Sequence, residues 1–319
     1  MNRENLKVSV LTTAYNHGQY IAKCIESILC QKTNFQFELI VHDDASTDGT
    51  TEIIRMYAER FPTIIKTIFQ KENQYSRGIN VYSFMLPYVH GKYLAVCEGD
   101  DYWCDENKLQ KQVDWMEMHT EYSACVHNTR KINLKTGEER IWFPTDGDRD
   151  LLFEQLLKGG SVCYHTSSIL MKANIKMPEE MRDIKSFGDY SLALSLALQG
   201  KIRYFSDVMS VYRYFTFGSW SMRQAESSKE RIQRCKDNLK LMQIIDRLTD
   251  YKYVEITKEI ILKQQFCINE ESGLYQSLKM GELKRLYQNL PLWRHLNITV
   301  KQYMPTLFRL YKRIRKLIK

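Results

Sequence analysis

The stretch of this chain that most constrains its fold is a short apolar run that ends in three acids. Residues 93–97 read Tyr-Leu-Ala-Val-Cys, contain no proline and lie between two glycines, which is typical of a strand buried in a parallel sheet. Glu98, Asp100 and Asp101 follow this run directly. Because crowded carboxylates repel one another, they indicate either a divalent cation, which prefers oxygen ligands, or a solvated acidic turn that caps the next helix.

The first 120 residues alternate between short β-branched segments and segments with helical periodicity. Strands are predicted at 6–12, 37–41, 64–69 and 93–97. Helices are predicted at 21–29, at 108–118 and, with Asp48 as the N-cap residue, through Phe61. Such alternation with short connections predicts right-handed crossovers and a mostly parallel sheet flanked by helices, an α/β fold. The carboxyl ends of its strands then share one edge, where an aromatic ring, an acid pair and an acid triplet would suit a nucleotide's base, ribose and diphosphate.

The rest of the chain changes character after about residue 225. Further strands are predicted at 123–130, 140–143, 163–171, 202–205 and 209–214, with a strong helix after Phe187-Gly-Asp-Tyr190. From about residue 227 the pattern is helical to the end. We therefore predict a catalytic domain at 1–225 and a helical C-terminal subdomain at 226–319.

Composition excludes several classes of protein. The first residues have no signal-peptide core, no window of 18 residues is continuously apolar, and the eight cysteines show neither C-x-x-C pairs nor zinc spacing. The chain is therefore predicted to be cytoplasmic, with reduced cysteines. Ten basic residues and no acid follow Glu282, so without them the net charge of +8 falls to −2.

The basic end of the chain carries its own pattern. Apolar residues recur at helical spacing between 307 and 318, and six basic residues cover the other sides. This pattern predicts an amphipathic helix that either docks on the protein, mediates a dimer, or binds peripherally at the inner face of the cell membrane. The absence of acids favours the membrane, because basic residues are attracted to anionic lipids.

Four motifs at strand ends, V-S-V-L-T-T-A-Y-N (8–16), D-D-A-S-T-D-G-T (43–50), E-G-D-D-Y-W (98–103) and F-G-D-Y (187–190), carry a family resemblance. Together they resemble the inverting GT-A glycosyltransferases of family 2, over residues 6 to 221. The resemblance implies a GT-A fold, a nucleotide-diphospho-sugar donor, most often a UDP-sugar, and a Mn²⁺ or Mg²⁺ cofactor. It also implies hexosyl or N-acetylhexosaminyl transfer to a glycan or lipid-linked acceptor, as in the synthesis of bacterial cell-envelope polysaccharides.

The resemblance also assigns roles by position. Asp189 would be the catalytic base, and Gly188 stands where many members have a second acid. Glu98-Gly99-Asp100 would be the D-x-D motif, with Asp100 as the metal ligand. Glu98 replaces the more usual Asp, which leaves open a ribose contact, a water-mediated metal contact or neither. The residues expected to contact the donor are Thr13, Tyr15, Asp44, Glu98, Asp101 and Arg77, with a closing loop at 218–221 and further candidate diphosphate contacts at Arg213 and Arg223.

Two alternatives to a transferase stay open at this level. A sugar nucleotidylyltransferase would need a glycine-rich phosphate loop with Arg or Lys after the first strand, but residues 13–18 contain neither. A non-catalytic nucleotide-sugar binding protein would be expected to lack one of the two key acids, Asp100 and Asp189. No nucleic-acid-binding motif is present.

Overall fold

A mixed β-sheet organises the first part of the chain in the computed structural model, which describes residues 5–143, 147–159, 163–182, 184, 188–216, 227–304 and 306. The strands are β1 (Leu6–Ala14), β2 (Gln36–Asp43), β3 (Ile65–Phe69), β4 (Tyr93–Val96), β5 (Tyr102–Trp103), β6 (Tyr122–Asn133), β7 (Glu139–Ile141), β8 (Arg149–Leu151), β9 (Leu170–Lys172) and β10 (Lys201–Tyr214). The helices are α1 (Ile21–Leu29), α2 (Thr50–Arg60), α3 (Lys108–Met118), α4 (Phe153–Gly159), α5 (Gly188–Gln199), α6 (Ser228–Leu248), α7 (Val254–Glu271), α8 (Leu283–Gln288) and α9 (Leu292–Tyr303).

The strand order is β3-β2-β1-β4-β9-β6-β10-β5, with β7 beside β6 and β8 beside β10. The parallel pairing predicted from the alternation of strands and helices holds for β1 to β4, and β6 is also parallel to β10. Strand β9, however, is antiparallel to both of its neighbours, β4 and β6. The sheet is therefore mixed, and β9 enters it from the edge at which the parallel strands end.

The register of β1 brings three strand ends together. Ala14 lies opposite Asp43 of β2, and the backbone N–H of Gly99, after β4, donates to the carbonyl of Thr13 at 2.9 Å. A side chain on Gly99 would meet the Thr13 carbonyl oxygen at 3.0 Å and the His17 Nδ1 atom at 2.9 Å. Glycine is thus required for the loop after β4 to approach the end of β1.

Two predicted segments differ from the structure. The apolar run at 163–171 is not one strand, because Thr166–Ser168 forms a 3₁₀ turn in which the Ser168 hydroxyl donates to the His165 carbonyl at 2.6 Å. Such local side-chain bonds offer the backbone an alternative to the sheet ladder. The two strands predicted at 202–205 and 209–214 are a single strand, β10, whose pairing with β6 shifts register between Phe205 and Val208.

Two acids of the motif at 43–50 accept hydrogen bonds from neighbouring loop and helix residues. Asp43 accepts hydrogen bonds from the side chains of Ser46 and Thr51, and Asp48 accepts one from the Gly18 N–H at 2.9 Å. Helix α2 begins at Thr50 and has Gly49 as its N-cap residue, whereas the predicted cap, Asp48, lies one residue earlier and accepts a hydrogen bond from the Thr50 N–H at 3.2 Å.

The described residues form two compact units, one with the sheet and its helices and the other with α6 to α9 and the Glu179–Met181 turn. In the second unit, Phe266, Leu278, Leu283 and Ile298 make a small core. The predicted boundary between residues 225 and 226 lies outside the described residues and stays a prediction. None of the helices described is both long and apolar enough to cross a membrane.

Gly91 provides a test of the packing before β4. A Cβ atom there would lie 2.5 Å from the Ser9 backbone nitrogen and 2.7 Å from the Val8 carbonyl carbon, atoms that cannot move aside without distorting β1. We expect Gly91→Ala to lower the free energy of unfolding by about 1–3 kcal/mol. Urea denaturation followed by circular dichroism measures this change. Gly188→Ala is the matched control, since its Cβ would meet nothing within 4 Å, and an equal loss in both variants would contradict the packing argument.

Candidate active site

Three acids form a cluster at the carboxyl end of β4. Glu98, Asp100 and Asp101 each offer a carboxylate oxygen, and these oxygens lie within 4.8 Å of one another. Asp100 and Asp101 are buried. Burial, followed by the charges of Asp100 and Asp189, raises the pKa of Glu98 to about 8, and burial beside the other two acids raises the pKa of Asp101 as well. The cluster therefore resists carrying its full negative charge.

The neighbours of the cluster orient its carboxylates mainly through neutral groups. The Thr216 hydroxyl donates to Asp100 Oδ2 at 2.6 Å, and the Arg213 backbone N–H donates to Asp101 Oδ1 at 3.1 Å. The Arg213 guanidinium donates to the backbone carbonyl of Asp100 at 2.8 Å rather than to a carboxylate, and it stacks on Tyr102 at 4.6 Å. These contacts fix the positions of the acids without pairing their charges directly.

Two histidines approach the cluster without bonding to it. His17 Nε2 is 3.9 Å from Asp100 Oδ2, and His165 Nδ1 is 3.7 Å from Asp101 Oδ2. Burial lowers the pKa of His165 to about 4, so this ring is neutral at neutral pH. Asp101 Oδ2 is buried and has no hydrogen-bond partner among the described residues.

The acid cluster offers the type of ligand that the expected Mn²⁺ or Mg²⁺ ion requires. An orphaned carboxylate oxygen beside two further carboxylates is a donor set for a hard divalent cation such as Mn²⁺ or Mg²⁺. Without a cation, the same atoms are an unpartnered and self-repelling group, which is costly when buried. The cluster therefore fits the metal that the sequence led us to expect.

Asp189 lies in the first turn of α5 and faces the same region. The Thr166 hydroxyl bonds to its carboxylate, and its charge contributes to the raised pKa of Glu98. The Asp189 residue as a whole is exposed to solvent, but the surrounding protein partly removes water from its carboxyl group. This desolvation raises the pKa of Asp189 above its usual value. The structure thus brings Asp189 near enough for its charge to act on Glu98, from a segment about 90 residues further along the chain.

Two tyrosines near Asp189 were not anticipated from the sequence. The buried Tyr82 hydroxyl lies beside Thr13 and within the fields of Glu98 and Asp189, and its pKa is raised by burial first and by these acids second. Burial and the Asp189 charge likewise raise the pKa of Tyr164. Neither residue belongs to a motif, so the sequence held no signal that distinguished them from the chain's other tyrosines.

Three of the residues expected to contact the donor lie at the ends of β1 and β2. Thr13 and Tyr15 are half-buried at the end of β1. Asp44 is buried after β2, and its two carboxylate oxygens accept hydrogen bonds from the backbone N–H groups of Gln74 and Tyr75 at 2.8 and 3.0 Å. Asp44 therefore orders the 74–75 loop in this structure, and its predicted nucleotide contact stays a prediction.

The predicted diphosphate contacts have different surroundings. Arg77 is exposed and pairs with Glu72 at 3.0 Å, whereas Arg213 lies against the acid cluster. Trp103 is a core residue whose indole N–H donates to the Ser167 carbonyl at 2.9 Å. The predicted closing loop at 218–221 and Arg223 lie outside the described residues.

Comparison with known sequences identifies relatives of this chain. An uncharacterized protein of Mycobacterium tuberculosis is 32% identical over 214 residues, which cover 67% of this chain and 60% of the relative. The match thus spans less than two thirds of that relative's length. The Escherichia coli protein WfaP, named UDP-Glc:alpha-D-GlcNAc-diphosphoundecaprenol beta-1,3-glucosyltransferase, is 34% identical over 111 residues, covering 34% of this chain and 41% of WfaP.

Solved structures share the fold at low sequence identity. The mannosyltransferase PcManGT from Pyrobaculum calidifontis, solved with GDP-Man and Mn²⁺, matches with a TM-score of 0.54 and 15% identity over 97% of this chain and 84% of that one. The fold is the GT-A fold expected from the motifs, with a mostly helical C-terminal region. Residues 9–177, which contain most of β1, all of β2 to β4 and the acid cluster, match the family model described as "Glycosyl transferase family 2". The chain belongs to this family of sugar-transferring enzymes.

Proposed function

We infer that this protein transfers a sugar from a nucleotide-diphospho-sugar to an acceptor hydroxyl in one displacement that inverts the anomeric centre. The observation that carries this inference is that Asp189 lies near enough to the acid cluster at the carboxyl end of β4 for its charge to act on Glu98. A single base next to a diphosphate-binding site is what an inverting transfer requires. The residue immediately before Asp189 is Gly188, which has no carboxylate, so Asp189 would act as the base alone.

Asp100 is the proposed ligand of a Mn²⁺ or Mg²⁺ ion, with Glu98 and Asp101 beside it. Support comes from the 4.8 Å grouping of their oxygens and from the unpartnered Asp101 Oδ2 atom. PcManGT, with the same fold, was solved with Mn²⁺. When bound, the cation would supply positive charge against the diphosphate of the donor.

Asp189 is the proposed general base. Its carboxylate would accept the proton of the acceptor hydroxyl while that oxygen forms a bond to the anomeric carbon. The bond from this carbon to the diphosphate breaks, and the nucleoside diphosphate leaves with the electron pair. The raised pKa of Asp189 increases its affinity for the proton, and the Thr166 hydroxyl bond would hold the carboxylate in one orientation.

The donor is proposed to be a UDP-sugar, because the relative WfaP is named for UDP-Glc. Its base and ribose would lie against Thr13, Tyr15 and Asp44, with Arg77 as a proposed diphosphate contact. A hexosyl or N-acetylhexosaminyl group would pass to a glycan or lipid-linked acceptor, since the name of WfaP includes a diphosphoundecaprenol-linked substrate. Peripheral contact of the basic 305–319 tail with the cell membrane accords with such an acceptor and is part of the proposal.

The role of Asp189 is tested by Asp189→Asn, which keeps the size of the side chain but cannot accept the proton. We expect transfer from UDP-sugar to fall by at least ~10² to 10⁴. Donor affinity by calorimetry should stay within about threefold, because binding does not use the base. Asp114→Asn, an exposed acid on α3, is the control and should keep full activity. Transfer by Asp189→Asn within threefold of wild type would remove Asp189 from this role.

The metal site is tested by Asp100→Ala. We expect wild-type donor binding to weaken when EDTA removes the cation, and the Asp100→Ala variant to bind donor weakly with or without Mn²⁺. Thermal shift adds a second readout, since a ligand at ~100 times its Kd stabilises the fold by ~2.7 kcal/mol. Donor affinity that responds neither to EDTA nor to the substitution would show that these acids hold no functional cation.

The nucleotide contact is tested by Asp44→Ala. Loss of a charged hydrogen bond should weaken UDP and UDP-sugar by the same factor, about 10- to 100-fold, because the proposed contact does not involve the sugar. Asp44 also holds the 74–75 loop, so Ser76→Ala, which removes another bond within that loop, is the control. An equal loss in both variants would assign the effect to loop order instead of nucleotide contact.

A further inference from the structure

Helix α9 presents its apolar side to solvent. Leu292, Leu296 and Tyr303 are 82%, 66% and 67% exposed, and at about 100° per residue they lie within roughly 40° of one another around the helix axis. Trp293, 64% exposed, flanks them. We call these four residues the outer face of α9. Helices on the surface of globular proteins normally turn such a face toward the core.

The side of α9 opposite its outer face carries two basic side chains that point toward α7. Arg294 and Lys301 reach Glu270 of α7, with nitrogen to oxygen distances of 2.7 and 2.6 Å, and Glu270 is only 5% exposed. Ile298 packs beside them in the small core of this unit. Rotating the helix to bury its outer face would leave a buried carboxylate without its two cations, which is strongly unfavourable. The outward direction of the apolar face is therefore fixed by the fold.

The chemistry of the surroundings indicates what covers this face. Trp293 and Tyr303 have rings with an apolar body and a polar tip, the type enriched at the boundary between water and lipid. Lys284 and Arg285 on the neighbouring helix α8 are exposed, and the chain has no acid after Glu282. Exposed apolar and aromatic side chains on α9, with exposed cations on the preceding helix α8, match the charge and polarity of an anionic lipid surface.

We propose that the outer face of α9 inserts into the headgroup region of an anionic phospholipid bilayer, with the helix parallel to the membrane plane. The outer face of α9 includes none of residues 305–319, the predicted basic tail, of which all but residue 306 lie outside the described residues. Insertion of this face does not depend on the proposed catalytic roles.

The test uses the full-length chain and vesicles of phosphatidylcholine with or without phosphatidylglycerol. Wild type should float with the anionic vesicles, and Trp293→Ser/Leu296→Ser should lower the partition coefficient at least tenfold, ~1.4 kcal/mol. Met56→Ser/Met118→Ser, which removes two exposed apolar side chains of the other unit, is the matched control and should bind like wild type. Unchanged thermal unfolding of both variants verifies that they fold. Equal partitioning of the two double variants would overturn the proposal.

A second readout locates the inserted residue. Brominated lipids should quench tryptophan fluorescence of bound wild type, and Trp293→Phe should remove most of this quenching while the protein still floats. Absence of quenching in bound wild type would show that the tail alone makes contact, and would overturn the proposal.

Other occupants of the face would give different results. Concentration-dependent dimerisation of wild type without lipid, lost in Trp293→Ser/Leu296→Ser, would assign the face to a second copy of the chain. Failure of wild type to bind any vesicle would likewise reject a lipid surface. Donor hydrolysis in lipid-free solution should be the same in wild type and both double variants. If wild type floats with the vesicles but does not hydrolyse the donor, the result would contradict the proposed catalysis. It would not contradict the insertion of α9 into the bilayer.

Discussion

Repulsion among three carboxylates at the end of β4 is the constraint on which the rest of the site depends. Asp100 and Asp101 are buried, so water screens their charges poorly, and the pKa values of Glu98 and Asp101 rise as a result. A hydroxyl and a backbone amide fix the geometry, and the Arg213 guanidinium donates to a backbone carbonyl instead of a carboxylate. The fold thus holds concentrated negative potential in place, which favours a small divalent ion with the donor's diphosphate.

Strand direction explains which side chains meet this cluster. Parallel strands β1, β2 and β4 end at one edge, so their following loops converge there. Antiparallel β9 pairs Leu170 with Ala95 of β4, and the residues before Leu170 therefore lie at that same edge. This is why Thr166 and His165 approach Asp189 and Asp101. A strand running the other way would have placed them at the far end of the sheet.

The local spacing of apolar residues in the sequence was enough to predict the strands and helices that carry the motifs. Helix α3 has the predicted bounds, and β4 ends within one residue of the prediction, because an uninterrupted apolar or periodic segment leaves few alternatives. Contacts made across the sequence were not predictable in this way. Thr216 bonds to Asp100 from 116 residues away, and the charge of Asp189 acts on Tyr82, which lies in the Val81–Phe84 3₁₀ turn outside every motif. Such partners are selected by sheet order and register, which local periodicity does not encode.

The orientation of α9 shows the same limit in the helical unit. Its apolar spacing alone would predict that Leu292, Leu296 and Tyr303 face the core, as the apolar stripe of a surface helix normally does. Leaving Glu270 buried without its partners would cost about 3–5 kcal/mol, and α9 also keeps Ile298 in the core. Turning the helix to bury most of the outer face would break the contacts of Glu270 and Ile298. One buried carboxylate on α7 therefore decides which side of α9 meets solvent, and the exposed apolar face is a consequence of charge pairing in the interior.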